Sequence, residues 1–141
     1  MAGETTARSG IDIDVLPLAC GPVLNGVVWT TELATTQLEL ADVIQLGYLP
    51  KGVTCIGFVA FADDLDSGTS LVWKITVGST DVKTGMTIGQ ADAKLTHTLN
   101  QFLAIDPITT TDRTLVSVTF TTAAGTAVAG TFCLTPIYIG N

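Results

Sequence analysis

Three carboxylates crowd the segment ADDLDSG at positions 62–68: Asp63, Asp64 and Asp66. Acids at that spacing have three uses. They can ligate calcium, work as a general acid–base pair, or bond the backbone amides of a sharp turn. An EF-hand calcium loop needs oxygen ligands at positions 1, 3 and 5, glycine at 6 and glutamate at 12. Counted from Asp64, position 3 is Asp66, but position 5 is Gly68 and position 12 is Ile75. That pattern fails, which leaves only a looser calcium site. A catalytic pair needs one acid in an apolar pocket and one kept ionised, and no second acidic cluster stands elsewhere for this one to face. Asp and Ser side chains bond nearby amides and Gly supplies positive φ. DLDSG between two strand-like runs therefore reads as a hairpin connection.

The other reactive side chains are isolated. His97 is the single histidine. Ser9, Ser67, Ser70, Ser79 and Ser117 are available as nucleophiles, but none sits in a G-x-S-x-G elbow. Cys20, Cys55 and Cys133 are odd in number and widely spaced, with no CxxC, which fits thiols packed as small hydrophobes better than zinc ligands or a disulfide framework. Neither a phosphate-binding loop nor G-x-G-x-x-G occurs, so nucleotide cofactors have no cradle. The expectation is no catalytic residue, no cofactor and no metal site: not an enzyme.

Composition narrows the partners. The net charge is −7 with a sequence pI near 4.2, and only six Lys and Arg are present, scattered along the chain. Phosphate binding needs clustered positive charge, so nucleic acid and anionic membrane are poor partners. No apolar run reaches the length of a membrane helix. The acids in MAGETTARSGIDID are wrong for a signal peptide. LPLACG, around Cys20, superficially resembles a lipoprotein box but has Pro17 where that box wants Leu. Synthesis in a cytosol and use without export is the expectation. Charged residues make up 13% of the chain, whereas threonine alone occurs 24 times. Threonine is stiff at χ1 and suits a pleated surface. A hydroxyl-coated surface is also far easier to desolvate than a charged one. Both facts suit a mostly β protein that works against other subunits.

The elements that position these residues follow from periodicity. Residues 1–24 have weak patterning and read as an extended N-terminal arm, in which Ile11, Ile13 and Val15 alternate in IDIDVL as the contact face of a short strand. Residues 25–141 read as one domain. LELADVIQL places Leu38, Leu40, Ile44 and Leu46 on one face. GYLPKG is a turn, and VTCIGFVAF is apolar on both faces, as a central strand should be. SLVWKITVG points Leu71, Trp73, Ile75 and Val77 one way; TLVSVTFTT does the same with Val116, Val118 and Phe120. Residues 89–105 carry Leu95, Leu99, Phe102 and Leu103 at helical spacing and predict one short helix, broken by Pro107. Pro136 predicts an edge position or a bulge in the last strand. Seven or eight short strands with frequent turn signals give an all-β antiparallel sandwich, jelly-roll-like or, alternatively, immunoglobulin-like. Most aromatics fall on inward phases; Trp29 and Tyr48, near the arm and in a turn, are the expected contact residues.

Two blocks carry a resemblance. DVIQLGYLPKGVTCIGFVAFADDLDSG is similar to the DVI-x-LG-x-LP-x-G strand–turn–strand and DDLDSG loop of a group of small tailed-bacteriophage virion proteins. IDPITTTDRTLVSVTFTTAAGTAVAGTFCLTPIYI is similar to the closing block of that group, in which a DR (here Asp112 and Arg113) introduces a strand, followed by a Thr/Ala/Gly-rich turn and a final strand ending in an aromatic (here Tyr138). The resemblance covers about residues 38–139, and the arm lies outside it. It implies a head decoration (cement) protein: a β-sandwich on the capsid exterior, made in the host cytoplasm. It would bind the major capsid protein at capsomer junctions and its own copies as dimer or trimer, and it implies no catalytic residue. Two other classes stand beside it. A receptor- or carbohydrate-binding sandwich of a phage head or fibre predicts an exposed aromatic platform. A small hydrolase needs a nucleophile–base pair.

Overall fold

The computed structural model describes residues 24–90 and 101–140. The expected arm, apart from Leu24, and most of the expected helix lie outside those residues. The described chain forms β1 (Leu24–Gly26), β2 (Trp29–Leu33), a 3₁₀ turn (Thr35–Gln37), β3 (Val43–Leu49), β4 (Val53–Ala62), β5 (Val72–Val77), β6 (Thr80–Met86), β7 (Gln101–Thr109), β8 (Thr114–Thr122) and β9 (Gly130–Gly140). Every strand pairing is antiparallel. One sheet runs β1/β2–β9–β4–β7 and the other β3–β8–β5–β6. The two pack as an all-β sandwich.

Alternation decides which side chains are buried. Leu71, Trp73, Ile75 and Val77 of the β5 segment, and Val116, Val118 and Phe120 of β8, all point into the core as expected. They meet Phe132, Leu134 and Tyr138 of β9, and the Trp73 and Phe132 rings contact edge to face at 5.0 Å. In β4 the inward phase slips by one residue: Cys55 is buried, and so is Phe58, three positions later. The register shift of β4 against both neighbours between Cys55 and Gly57 accounts for it, since an extra residue reverses the alternation.

Prolines mark the irregular pairings. β9 is a central strand, so Pro136 is not at an edge. β1 and β2 share one register on β9, and that register would set Val27 and Val28 against Pro136 and Thr135; pairing lapses there. Proline has no N–H to donate, and one long strand becomes two short ones. Pro107 lies inside β7, an edge strand, where the register against β4 skips from Ile108 to Ala104.

Two sequence expectations are corrected. Residues 101–105 are not helical; they open β7. The helical repeat there is short, and pairing with β4 satisfies the amides of β7 more fully, an instance of tertiary context overriding local pattern. Leu40 does not share the inward face of Leu38, Ile44 and Leu46. Leu38 and Leu46 are buried and Ile44 is half-buried, but Leu40 is 66% exposed. The 3₁₀ turn and a second turn at Glu39–Asp42 occupy this stretch, so period two does not run through it.

Candidate functional site

The three acids lie at one end of the sandwich, in the β4–β5 connection. Asp66 is fully buried there. Its Oδ1 accepts the Gly68 and Thr126 amides at 3.0 and 2.9 Å; its Oδ2 accepts those of Ser70, Leu71 and Gly125 at 2.9, 2.9 and 3.2 Å. Burial by itself would raise its pKa, but the amides of Thr126, Gly125, Leu71 and Ser70 outweigh it and hold the carboxyl at about 2. Five N–H donors occupy the oxygens that a metal or a proton would need. Asp66 therefore ties its own loop to the β8–β9 loop across 60 residues of sequence.

Asp63 and Asp64 do not join Asp66 in a site. Asp63 exchanges bonds with the start of β9: its amide donates to the Thr131 carbonyl and its Oδ2 accepts the Thr131 amide, both at 2.9 Å. Asp64 turns one oxygen, Oδ1, inward without a hydrogen-bond partner. Gln90 completes the end by donating from Nε2 to the Leu71 carbonyl at 2.7 Å. Among the described residues no group of three or more His, Cys, Asp or Glu side chains is arranged to hold a metal. Cys55 and Cys133 are free thiols; burial pushes Cys55 up to about 11 against the pull of hydrogen bonds with Gly57 and Ile137, so it is a poor nucleophile.

The opposite end is held by a neutral side chain. Thr110 is buried; its Oγ1 accepts the Val53 amide at 3.1 Å and donates to the Pro50 carbonyl. Its backbone bonds Gly52 and Val53, both at 2.9 Å. Gly52, at φ +78°, lets the β3–β4 connection close. The Arg113 guanidinium lies 4.0 Å over the Tyr48 ring, a cation–π contact.

Charge is divided between the ends. The described loop residues at the Asp66 end, 34–42, 63–71, 87–90 and 123–129, include Glu39, Asp42, Asp63, Asp64 and Asp66 and no Lys or Arg. The loops at the Thr110 end, residues 50–52, 78–79 and 110–113, hold Lys51 and Arg113 beside Asp112. The two sheets also differ on their outer faces. The central strands β4 and β9 contain no Asp, Glu, Lys, Arg or His. Their outward side chains, including Ile56, Val59, Phe61, Thr135 and Ile137, form a half-buried neutral face. The other sheet carries Lys74 paired with Asp81 at 2.7 Å, and the Lys74 and Thr76 bonds hold Asp81 below the usual carboxylate range. An open cleft of about 260 Å³ between β6 and the irregular part of β7 is lined by Thr80, Asp81, Val82, Asp106, Pro107 and Ile108, with no serine, cysteine or histidine among them.

Trp29, expected as a contact residue, is a correction. It has no exposed area and its indole is pressed against Gly47, where a Cβ would stand 2.5 Å from Nε1. A side chain enclosed by its own chain cannot meet a partner. Its inward phase on β2, shared with Thr31 and Leu33, was the signal that nearness to the arm obscured. Tyr48 is half-buried beneath Arg113. Ile11, Ile13, Val15 and His97 lie outside the described residues. Trp29, Trp73, Phe58, Phe120, Phe132 and Tyr138 are buried and Phe61 is half-buried, so the described side chains offer no fully exposed aromatic platform. Sequence reasoning did not single out Thr110 and Gln90, because only long-range packing distinguishes them from the other threonines and glutamines.

Neither a protein-family model nor a curated protein matches the sequence. Solved structures do share its fold. A chain of the cyanophage Pam1 capsid asymmetric unit superposes with a TM-score of 0.67 at 19% identity, over 86% of this chain and 87% of that one. A chain of the capsid of Ralstonia phage GP4 gives 0.66 at 17% identity, over 84% and 85%. A chain of the acidic stable capsid of Helicobacter pylori bacteriophage KHP30 gives 0.53 at 14% identity, over 84% and 92%. The fold, a jelly-roll-like antiparallel sandwich, is thus one found in chains of phage capsids.

Proposed function

We propose that this chain is a non-enzymatic structural part of a phage virion, a decoration protein that binds the outside of the shell at capsomer junctions and stabilises it. The observation that carries the reading is the fold shared with chains of three phage capsids, over more than four-fifths of both partners in each comparison. Near-equal coverage means that those chains are close to this one in length.

The surface chemistry supports it. A neutral face two strands wide can be desolvated against a protein partner at little cost, since it buries hydroxyls and methyls in place of ions. With a net charge of −7, copies of the chain repel each other, and the β4–β9 face offers contact between copies as dimer or trimer without opposing carboxylates. Many modest contacts on a repeating lattice add through effective concentration, so no single contact has to be tight. In the acid cluster, which would have argued for chemistry, Asp66 and Asp63 are bonded to backbone amides. The major capsid protein is the expected partner, and the arm, with Ile11, Ile13 and Val15, is the expected strap along a neighbour.

The test uses heads of the parent phage assembled without this chain. Added chain should bind them in saturable fashion and raise their melting temperature. Heads whose melting temperature does not move on addition of the chain contradict the reading.

A further inference from the structure

Leu40 is the most exposed of the large apolar side chains described, at 66%. It stands at the tip of a turn in which the Asp42 amide donates to the Glu39 carbonyl at 3.2 Å and the Glu39 amide donates to Asp42 Oδ2 at 3.0 Å. The turn is fastened to the sandwich on both sides: Ala41 N–H to the Phe120 carbonyl at 2.9 Å, Phe120 N–H to the Asp42 carbonyl at 3.0 Å, and Ala124 N–H to the Leu38 carbonyl at 3.1 Å. Ala41 follows Leu40 at φ +69° and is the one non-glycine residue with positive φ among those described. A turn with positive φ at its third residue normally takes glycine there. Alanine is strained at that angle, and strain of this kind persists where the surroundings over-determine the conformation, often at ligand clamps. The fold thus holds a large apolar side chain out in water, on a stapled turn. Val43, 55% exposed, follows at the start of β3, an edge strand.

Charge identifies the occupant. Glu39 and Asp42 flank Leu40, and the described residues of the loops at this end include no Lys or Arg. The Lys74 ammonium, on β5 of the sheet that holds β3, is tied to Asp81. A second copy is a poor occupant: its net charge is −7, and of the two cations in its opposite end loops Arg113 is stacked on Tyr48. We propose that Leu40 is the anchor of a docking turn, entering an apolar pocket with a lysine- or arginine-bearing rim on the shell protein. This rests on the reading of the chain as a virion part. A rigid apolar anchor in a desolvated pocket dominates the dissociation rate of such contacts, while the flanking charges act on association.

The test measures binding of the full chain to parent-phage heads made without it. Leu40→Ala should bind at least about tenfold more weakly, chiefly through faster dissociation, and Leu40→Met, of similar volume, should recover most of the loss. Glu39→Lys should slow association and flatten its dependence on salt. Both positions of change are on the surface, so thermal unfolding of the free chain should not move. If the wild-type chain binds and Leu40→Ala binds equally well, the anchor is disproved while the virion reading stands. If the wild-type chain does not bind heads, both fall. If Leu40→Ala changes the mass of the free chain in solution but not its affinity for heads, the pocket is on a second copy and the shell partner is disproved.

Discussion

The two ends of the sandwich solve one problem with different chemistry. Each must gather loops from distant parts of the chain and satisfy their amides away from water. At one end a buried carboxylate, Asp66, accepts five amides from two loops. At the other a buried hydroxyl, Thr110, accepts one amide and donates to one carbonyl. Hydrogen bonds to an ionised group contribute about twice as much each as neutral ones. The difference teaches that the acid-rich stretch is a fastening, and that the group fastening one end ionises while the hydroxyl fastening the other stays neutral.

Removing the Asp66 fastening should have the largest effect. Asp66→Ala leaves five amides without their acceptor and should cost about 4 kcal/mol or more, a large part of a typical domain's stability. Denaturant unfolding of the free chain checks this; a loss below about 1 kcal/mol would erase the distinction between the ends.

Acid should act next. Asp66 ionises at about 2 in the folded chain against an ordinary 3.8. Its folded pKa is depressed, so its contribution is complete above the ordinary value and is lost as pH falls through the folded one. Between about pH 4 and 2 the fold should lose about 2 kcal/mol on this account. Thr110→Val should retain that acid step and Asp66→Asn should abolish it, as followed by unfolding at a series of pH values. Thr110→Val should itself cost about 1–2 kcal/mol at every pH, since it strands the Val53 amide and the Pro50 carbonyl. The smallest effect is expected at the Leu40 turn: Ala41→Gly relieves the positive φ and should stabilise the fold by under about 1 kcal/mol.

Much of the fold was legible because alternation is a local property. Leu71, Trp73, Ile75 and Val77 could be assigned to the core from spacing alone, and so could Val116, Val118 and Phe120. That DLDSG bonds backbone amides followed from the chemistry of Asp, Ser and Gly, but its reading as a hairpin is corrected: β4 and β5 do not pair, and the connection crosses from one sheet to the other. That Asp66 also reaches Gly125 and Thr126 did not follow, because no local pattern records a contact across 60 residues. The misreadings share a cause. Residues 101–105 looked helical because their partner β4 lies more than 40 positions away in sequence. Leu40 looked buried because a single period was carried through two turns. Trp29 looked like a contact residue because it stands near the arm, whereas its neighbour in space, Gly47, is 18 positions further on. The surface proposed to face a partner is the least legible part, since a neutral, threonine-rich sequence marks no individual residue.

The most direct test of the structural role is a cryo-electron microscopy map of the parent virion at side-chain resolution. The account predicts density for this sandwich at repeated positions on the outer surface, where capsomers meet. A complete shell with no such density, alongside the chain recovered free from infected cells, would contradict it.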